Sequence, residues 1–444
     1  MFKAALLRRY QEQRKLIWNI AWLFGDKVFL LLVNFLVAAL VARHLGPEQF
    51  GQLSYVVSIV ALFAVSAHAG LGGIVVKRYV EGDWSPQVVA ASSLFLKLSS
   101  GVVGYLLLVV VAYFSSGWGQ EFMYLVIAGL VIILQPLSVF DFWFQSQVKS
   151  KYVSVSNMSS LVLSAVAKVS FVYVGFSVLP FVLANLLQYF VYSLLVYGFF
   201  KKVSKLKISL ADVNLGLSLD FLRNSWPVFL GSIFAMVYMK IDQVMLKWMV
   251  GPAEVGIYSV GAQLSEVWYF IPAAILTSYF PRLVQLKTGN REQYVKYYQA
   301  LLDCLLGVAV AVALFMTFFA DAFIHTFWGK EYAASASVLT IHIWAGVFVF
   351  MRTVFSKWIV VEGALIFSLV TQGLGAVINV ALNFYFIPAS GAEGAAYATL
   401  ISYGLASYAS LFFYAKTREF FYWMTKSFFL PVRLVIAAYK RVVR

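Results

Sequence analysis

Eleven ionisable side chains interrupt the apolar runs of this sequence. Five are cations, Lys27, Lys97, Lys168, Lys240 and Arg352, and six are acids, Asp26, Asp141, Asp242, Glu266, Asp303 and Asp321. An ionised group near the centre of a bilayer costs about 2.5–3.5 kcal/mol on insertion scales, so five cations facing lipid would cost roughly 12–18 kcal/mol. Most of these cations are therefore expected to face a wet cavity or a counter-ion. Ammonium groups on flexible stems act as mobile point charges for phosphate. Lys27, Lys97, Lys168 and Lys240 are accordingly candidate binding residues for a ligand of dense negative charge, such as a pyrophosphate. A carboxylate in a spanning segment can take up and release a proton, which makes Asp26, Asp141, Asp242 and Glu266 candidate ion-coupling groups. The competing expectation is local ion pairing, Lys240 with Asp303 or Lys27 with Glu266. His68 and His342, also within apolar runs, are expected to be hydrogen-bonded packing residues.

These groups need membrane-spanning elements to hold them. Of 444 residues, 62% are hydrophobic and 12% charged, with mean hydropathy +0.84; a soluble chain carries about 25% charged residues. Runs of about 20 apolar residues recur, each long enough for a helix across a ~30 Å hydrocarbon core. They do not alternate as barrel strands would. The fold class is all-α and polytopic. Spans are expected near 17–42, 53–76, 88–114, 121–147, 153–175 and 178–200, then 225–248, 257–280, 300–325, 334–356, 364–386 and 393–415. At 1.5 Å per residue, Lys27 and Lys97 lie roughly 15 Å into their spans, and Lys168 and Lys240 roughly 22 Å from the cytoplasmic side.

Lys and Arg fix the orientation. Of the 34, twenty-six fall on the side shared with the N-terminus, three (Arg43, Lys247, Lys330) on the other, and five inside spans. Basic residues collect on the cytoplasmic side, so twelve helices with both termini cytoplasmic are expected. Two six-helix lobes, 17–200 and 224–416, then enter the membrane the same way round, as a parallel repeat. A basic connector (201–223) joins them, an amphipathic segment (1–16) precedes them, and a basic interfacial tail (417–444) follows. An internal echo supports the division: Asp26-Lys27, Gly46-Pro47, Gly51 and Ser54 recur in Lys240 with Asp242, Gly251-Pro252, Gly256 and Ser259. Pro136, Pro227 and Pro272 are expected to break or cap helices.

Other chemistries lack their residues. The net charge of +15 sits in short connections between apolar runs, which argues against nucleic acid. The single Cys304 forms no intramolecular disulfide. There is no Walker A loop, metal-ligand cluster or nucleophile elbow, so no enzyme, metal or cofactor is expected beyond a coupling proton or sodium ion. The aromatic stretch Asp141-Phe-Trp-Phe-Gln145 either stacks on sugar rings or fills helix contacts.

Four motifs in order carry a family resemblance. Ala42-Arg-His-Leu-Gly-Pro-Glu-Gln-Phe-Gly-Gln-Leu-Ser54 is similar to the stretch after the first helix of bacterial polysaccharide-biosynthesis flippases. Ile241-Asp-Gln-Val-Met-Leu246 with Val255-Gly-Ile-Tyr-Ser259 resembles their seventh and eighth helices, and Gly391-Ala-Glu-Gly-Ala-Ala-Tyr-Ala-Thr399 the start of their last helix. With Asp141–Gln145, the resemblance spans nearly the whole chain. It is to the polysaccharide-transport (Wzx-type O-antigen) branch of the MATE-like MOP exporter superfamily. The resemblance implies a V-shaped pair of lobes in the bacterial inner membrane. It also implies alternating-access translocation of an undecaprenyl-pyrophosphate-linked oligosaccharide, for O-antigen or related lipopolysaccharide synthesis, from cytoplasmic to periplasmic leaflet, with ion-gradient coupling. Membrane lipids, a polysaccharide polymerase and chain-length machinery are the implied partners. The alternative is a MATE-like proton- or sodium-coupled exporter of small cationic compounds.

Overall fold

The long apolar runs become long helices because lipid offers no hydrogen bonds, and a helix satisfies every backbone group within its own segment. The computed structural model describes the backbone of residues 2–433 and 436; side chains are described at 22 and from 25 onward, except at 277, 278, 281, 288, 365, 434, 435 and 437–444. The side chains of the expected amphipathic segment 1–16, and the tail at 434, 435 and 437–444, thus lie outside the described residues. Among the described residues there is helix and no strand. Nine helical stretches among them are long and apolar enough to cross a membrane. Large apolar side chains stand on their outer faces, Phe114 82%, Tyr173 87% and Phe318 80% exposed, a surface that water would not tolerate over so wide an area. The chain is a multi-pass membrane protein.

Two compact units divide it, Met1–Met236 and Val237–Arg444. The first contains α1 (Phe2–His68), α2 (Gly72–Glu81), α3 (Pro86–Ser116), α4 (Gln120–Leu134), α5 (Val139–Ser146), α6 (Lys151–Val174), α7 (Val178–Ser204) and the opening of α8 (Leu215–Met249). α1 is two helices joined at Gly46, whose φ of 68° and ψ of 172° belong to a backbone region open essentially to glycine. Pro47 follows at the first position of the second helix, where a missing N–H costs nothing. α3 begins with Pro86 behind Ser85, whose hydroxyl accepts from the Val88 N–H, a standard N-cap. α1 and α3 pack so closely that a Cβ on Gly104 would lie 1.9 Å from Ser66 Oγ; small residues let membrane helices approach this way. Leu71 and Val75 pack on Leu217 and Phe221, and an Arg78–Asp220 ion pair of 2.7 Å fastens α2 to the start of α8.

The second unit holds the rest of α8 with α9 (Pro252–Glu266), α10 (Phe270–Gly289), α11 (Arg291–Phe327), α12 (Ser335–His342), α13 (Ala345–Glu362), α14 (Leu365–Gly404), α15 (Ser410–Phe413) and α16 (Arg418–Phe428). Its core includes Tyr294, Tyr298, Trp358, Phe420 and Trp423. The turn between α8 and α9 repeats the first unit's device: Gly251 (φ 139°, ψ 175°) and then Pro252 at the helix start. α14 is likewise interrupted at Ser390 and Gly391. α16 in the tail buries Phe420, Trp423 and Met424, and Arg433 beyond it pairs with Asp303 of α11 at 3.1 Å.

Prolines act unevenly. Pro136 lies in a 3-10 turn, Gln135–Ser138, that separates α4 from α5, and Pro272 follows a 3-10 turn, Val267–Tyr269, at the start of α10. Pro227 sits inside α8 without breaking it.

Candidate functional site

In the first unit the ionisable groups gather around the α4–α5 break. A proline ring at position 136 removes a helical N–H and crowds the preceding turn, and the resulting 3-10 segment turns Ser138 toward α3. There Lys97, wholly buried, donates from Nζ to Ser138 Oγ at 2.8 Å and lies 5.2 Å from the Phe142 ring centroid. Asp141, one turn on, accepts from the Tyr192 hydroxyl of α7 through Oδ2. Its Oδ1 is buried without a partner. Lys97 and Asp141 feel each other's charge. His68, at the end of α1, meets Gln135 at 2.9 Å, so the break is held from both sides. Asp26 is buried on α1 and accepts from Asn157 Nδ2 at 3.3 Å, its Oδ1 also without a partner. Lys27 beside it is exposed and Lys168 is half-buried.

The second unit builds a different kind of site. The Gly251-Pro252 turn lays α8 and α9 side by side, which brings Asp242 to Tyr258 and, one residue on, Gln243 to Ser259. Asp242 is 1% exposed. It accepts from the Tyr258 hydroxyl at 2.5 Å, Thr399 Oγ1 at 2.6 Å and Asn383 Nδ2 at 2.6 Å. Asn379, one turn before Asn383 on α14, accepts from Asn383 Nδ2 and donates to Thr399 Oγ1, both at 3.4 Å. No cation is bonded to this carboxylate among the described residues, and Asn383 Oδ1 is buried without a partner. One carboxylate inside a cage of hydroxyl and amide oxygens suits a proton or a hard monovalent cation, not a transition metal, which prefers imidazole or thiolate. No group of three or more His, Cys, Asp or Glu occurs among the described residues.

Glu266 and Lys240 are both half-buried and lie within each other's field, with Asp242 adding to the negative side. His342 bonds through Nδ1 to Ser265 Oγ and packs edge-on against Tyr258, the packing role expected for it. The suggested Lys240–Asp303 pair does not form. Asp303 instead takes Arg433, the Ser427 hydroxyl at 2.7 Å and Gln299 Nε2 at 2.9 Å, because the tail folds back over α11. The aromatic stretch after Asp141 fills helix contacts: Phe140, Trp143 and Phe144 are buried with Val196 and Phe200.

The family model for polysaccharide biosynthesis proteins matches residues 16–287. The chain belongs to that family. A second model, MatE, matches residues 227–385. Among curated relatives, this family member is 25% identical over 393 residues to the probable low-salt glycan biosynthesis flippase Agl15 of Haloferax volcanii, across 86% of this chain and 80% of that one. It is 23% identical over 388 residues to the probable flippase AglR of the same organism, with the same two shares. Two solved structures share its fold. One is the inward-facing form of a multidrug resistance MATE transporter of the MOP superfamily (TM-score 0.72, 16% identity, 89% of this chain and 96% of that one). The other is the lipid II flippase MurJ in an inward closed conformation (TM-score 0.68, 13% identity, 95% and 93%).

Sequence reasoning picked out the charged members of both clusters and passed over their neutral partners. Asn157, Tyr192, Asn379 and Asn383 carried no charge to mark them. Asn379 and Asn383 did offer a signal: two amides four apart share one helix face, and polar groups in an apolar run are rarely idle. Tyr258 and Thr399 lay inside motifs quoted for their family likeness, without a role.

Proposed function

We propose that this protein is a flippase for a lipid-linked glycan. In the full reading, an undecaprenyl-pyrophosphate-linked oligosaccharide passes from the cytoplasmic to the periplasmic leaflet of a bacterial inner membrane by alternating access, coupled to an ion gradient. Relatives named as flippases, one of them in glycan biosynthesis, align over 86% of the chain, and this is the observation that carries the reading. A small-cation exporter would call for acids to dominate its path, whereas here Lys240 stands beside Glu266.

The lengths of the helices support a reading of twelve crossings. Gly25–Glu81 and Ile366–Phe413 are 57 and 48 residues long, too long for one crossing of a ~30 Å core at 1.5 Å per residue. Each is divided by a non-helical turn. α9 with α10, interrupted by its 3-10 turn, supplies the twelfth. The strong bias of Lys and Arg supports cytoplasmic termini.

Within this reading, Lys27, Lys168 and Lys240 are the ammonium groups left for a phosphorylated substrate, and Lys97 serves the α4–α5 break. Asp242 is the seat of the coupling ion, with Asp26 the second candidate. Deleting the gene from a strain with no redundant flippase is expected to abolish surface polysaccharide and strand lipid-linked units on the cytoplasmic leaflet. Normal surface polysaccharide in that strain would contradict the assignment.

A further inference from the structure

In the second unit α14 is broken at Ser390 and Gly391. Its second half reopens at Ala392 with backbone N–H groups that have no partner inside the helix. The residue before a helix commonly caps those groups with its own side chain. Gly391 has none. Its φ of 52° and ψ of −128° suit glycine, and a Cβ placed there would lie 2.5 Å from Glu254 Oε2. That carboxylate takes the place of the missing cap: Glu254, in the first turn of α9, accepts from the Ala392 N–H at 2.7 Å. A negative charge at a helix N-terminus also answers the helix dipole.

The same two helices meet again at Asp242. Tyr258 follows Glu254 by about one turn on the same face of α9, and Thr399 follows Ala392 by about two turns on the same face of its own helix. Their hydroxyls lie 3.5 Å apart, and both donate to Asp242 Oδ2, at 2.5 and 2.6 Å. Thr399 is 2% exposed, so it has little room to adjust. The half-helix that carries it is thus fastened to α9 at its first residue, roughly 10 Å of rise before the hydroxyl that enters the cage. The first unit treats the matching position differently. There the Gly46-Pro47 turn leads to Gln49 where Gly251-Pro252 leads to Glu254; Gln49 is exposed, and α7 opens without a side-chain cap. The reaching carboxylate occurs in the unit that holds the Asp242 cage.

We infer that Glu254 is a positioning residue for the ion site: its cap fixes the depth and rotation at which the second half of α14 presents Thr399 to Asp242. This role rests on the reading of Asp242 as the seat of the coupling ion, and it adds a group outside the cage that sets the cage's affinity. Reach decides it. The amide oxygen of a glutamine can accept the same N–H, whereas a carboxylate one methylene shorter falls short of it.

The test follows thermal unfolding of the full chain, purified in a neutral detergent and titrated with sodium chloride at fixed pH or, without sodium, with acid. Stabilisation beyond that seen in Asp242→Asn reports occupancy of the site and yields an apparent ion affinity. Glu254→Ala is expected to weaken that affinity about fivefold, the scale of one lost helix cap, and Glu254→Asp nearly as much. Glu254→Gln should stay close to the unsubstituted chain. Thr399→Val should weaken it too, and Glu254→Ala added to Thr399→Val should cost nothing further, since the cap acts through that hydroxyl. A merely stabilising cap would lower the unfolding temperature at every ion concentration without moving the affinity, and that result in Glu254→Asp would overturn the inference. So would a loss in Glu254→Gln with retention in Glu254→Asp, or costs that multiply in the double variant. An unsubstituted chain that neither sodium nor acid stabilises beyond Asp242→Asn would overturn the reading of Asp242 itself.

Discussion

Asp242 and Lys97 show how the same signal, a charge in an apolar run, ends in two different structures. Asp242 is surrounded by neutral donors only, so its charge can be answered by a proton or an ion that comes and goes. Asp242→Asn is therefore expected to insert normally and bind substrate, yet to lose at least tenfold of its gradient-driven transport in vesicles. Undiminished gradient dependence would remove Asp242 from coupling. Lys97 is committed to Ser138 and to the field of Asp141. Removing its ammonium leaves the Ser138 hydroxyl without that donor and takes away the cation in whose field Asp141 sits. Lys97→Met should lower the thermal unfolding temperature, and Lys97→Met with Asp141→Asn should recover most of it. At this scale the charged residues were legible in the sequence because each announces a cost. Their neutral partners were not, since an Asn, Tyr or Thr on an apolar helix is cheap to carry. Which of them faces Asp242 depends on how α9 and α14 pack.

The elements that position these groups were more legible than the groups' contacts. The repeated Gly-Pro pairs signalled their turns directly: Gly46 and Gly251 adopt positive φ and the following prolines open helices. Placing a β-branched residue there forces a backbone conformation that costs of order 1–3 kcal/mol. Gly251→Val should therefore destabilise the second unit and misalign Asp242 with Tyr258, seen as a lower unfolding temperature together with lost ion dependence. Pro227 shows where element reading failed. A proline in a membrane helix permits a break without enforcing one, and α8 continues through it. The return of the tail onto α11 was also invisible, because the Arg433–Asp303 pair joins positions 130 residues apart with no local pattern to suggest it.

For the whole molecule, composition and charge bias settled the class early, and the helices agree with it. Orientation is open to direct measurement. In a Cys304→Ser background, a cysteine at Gly289 is expected to react only with reagents reaching it from the cytoplasm, and one at Lys330 only from outside; the reverse pattern would refute the twelve-crossing topology with cytoplasmic termini. The sugar composition of the substrate left no trace in the sequence, because it depends on the shape of a binding space that no local pattern encodes. The central claim is that this chain moves a lipid-linked glycan between leaflets. The most direct test reconstitutes the purified full chain in vesicles containing a fluorescent undecaprenyl-pyrophosphate oligosaccharide and quenches the outer leaflet chemically. The account predicts that about half the label is quenched in empty vesicles and nearly all of it in vesicles holding the protein under an ion gradient. Equal quenching in both, with the protein shown to be folded and inserted, would contradict it.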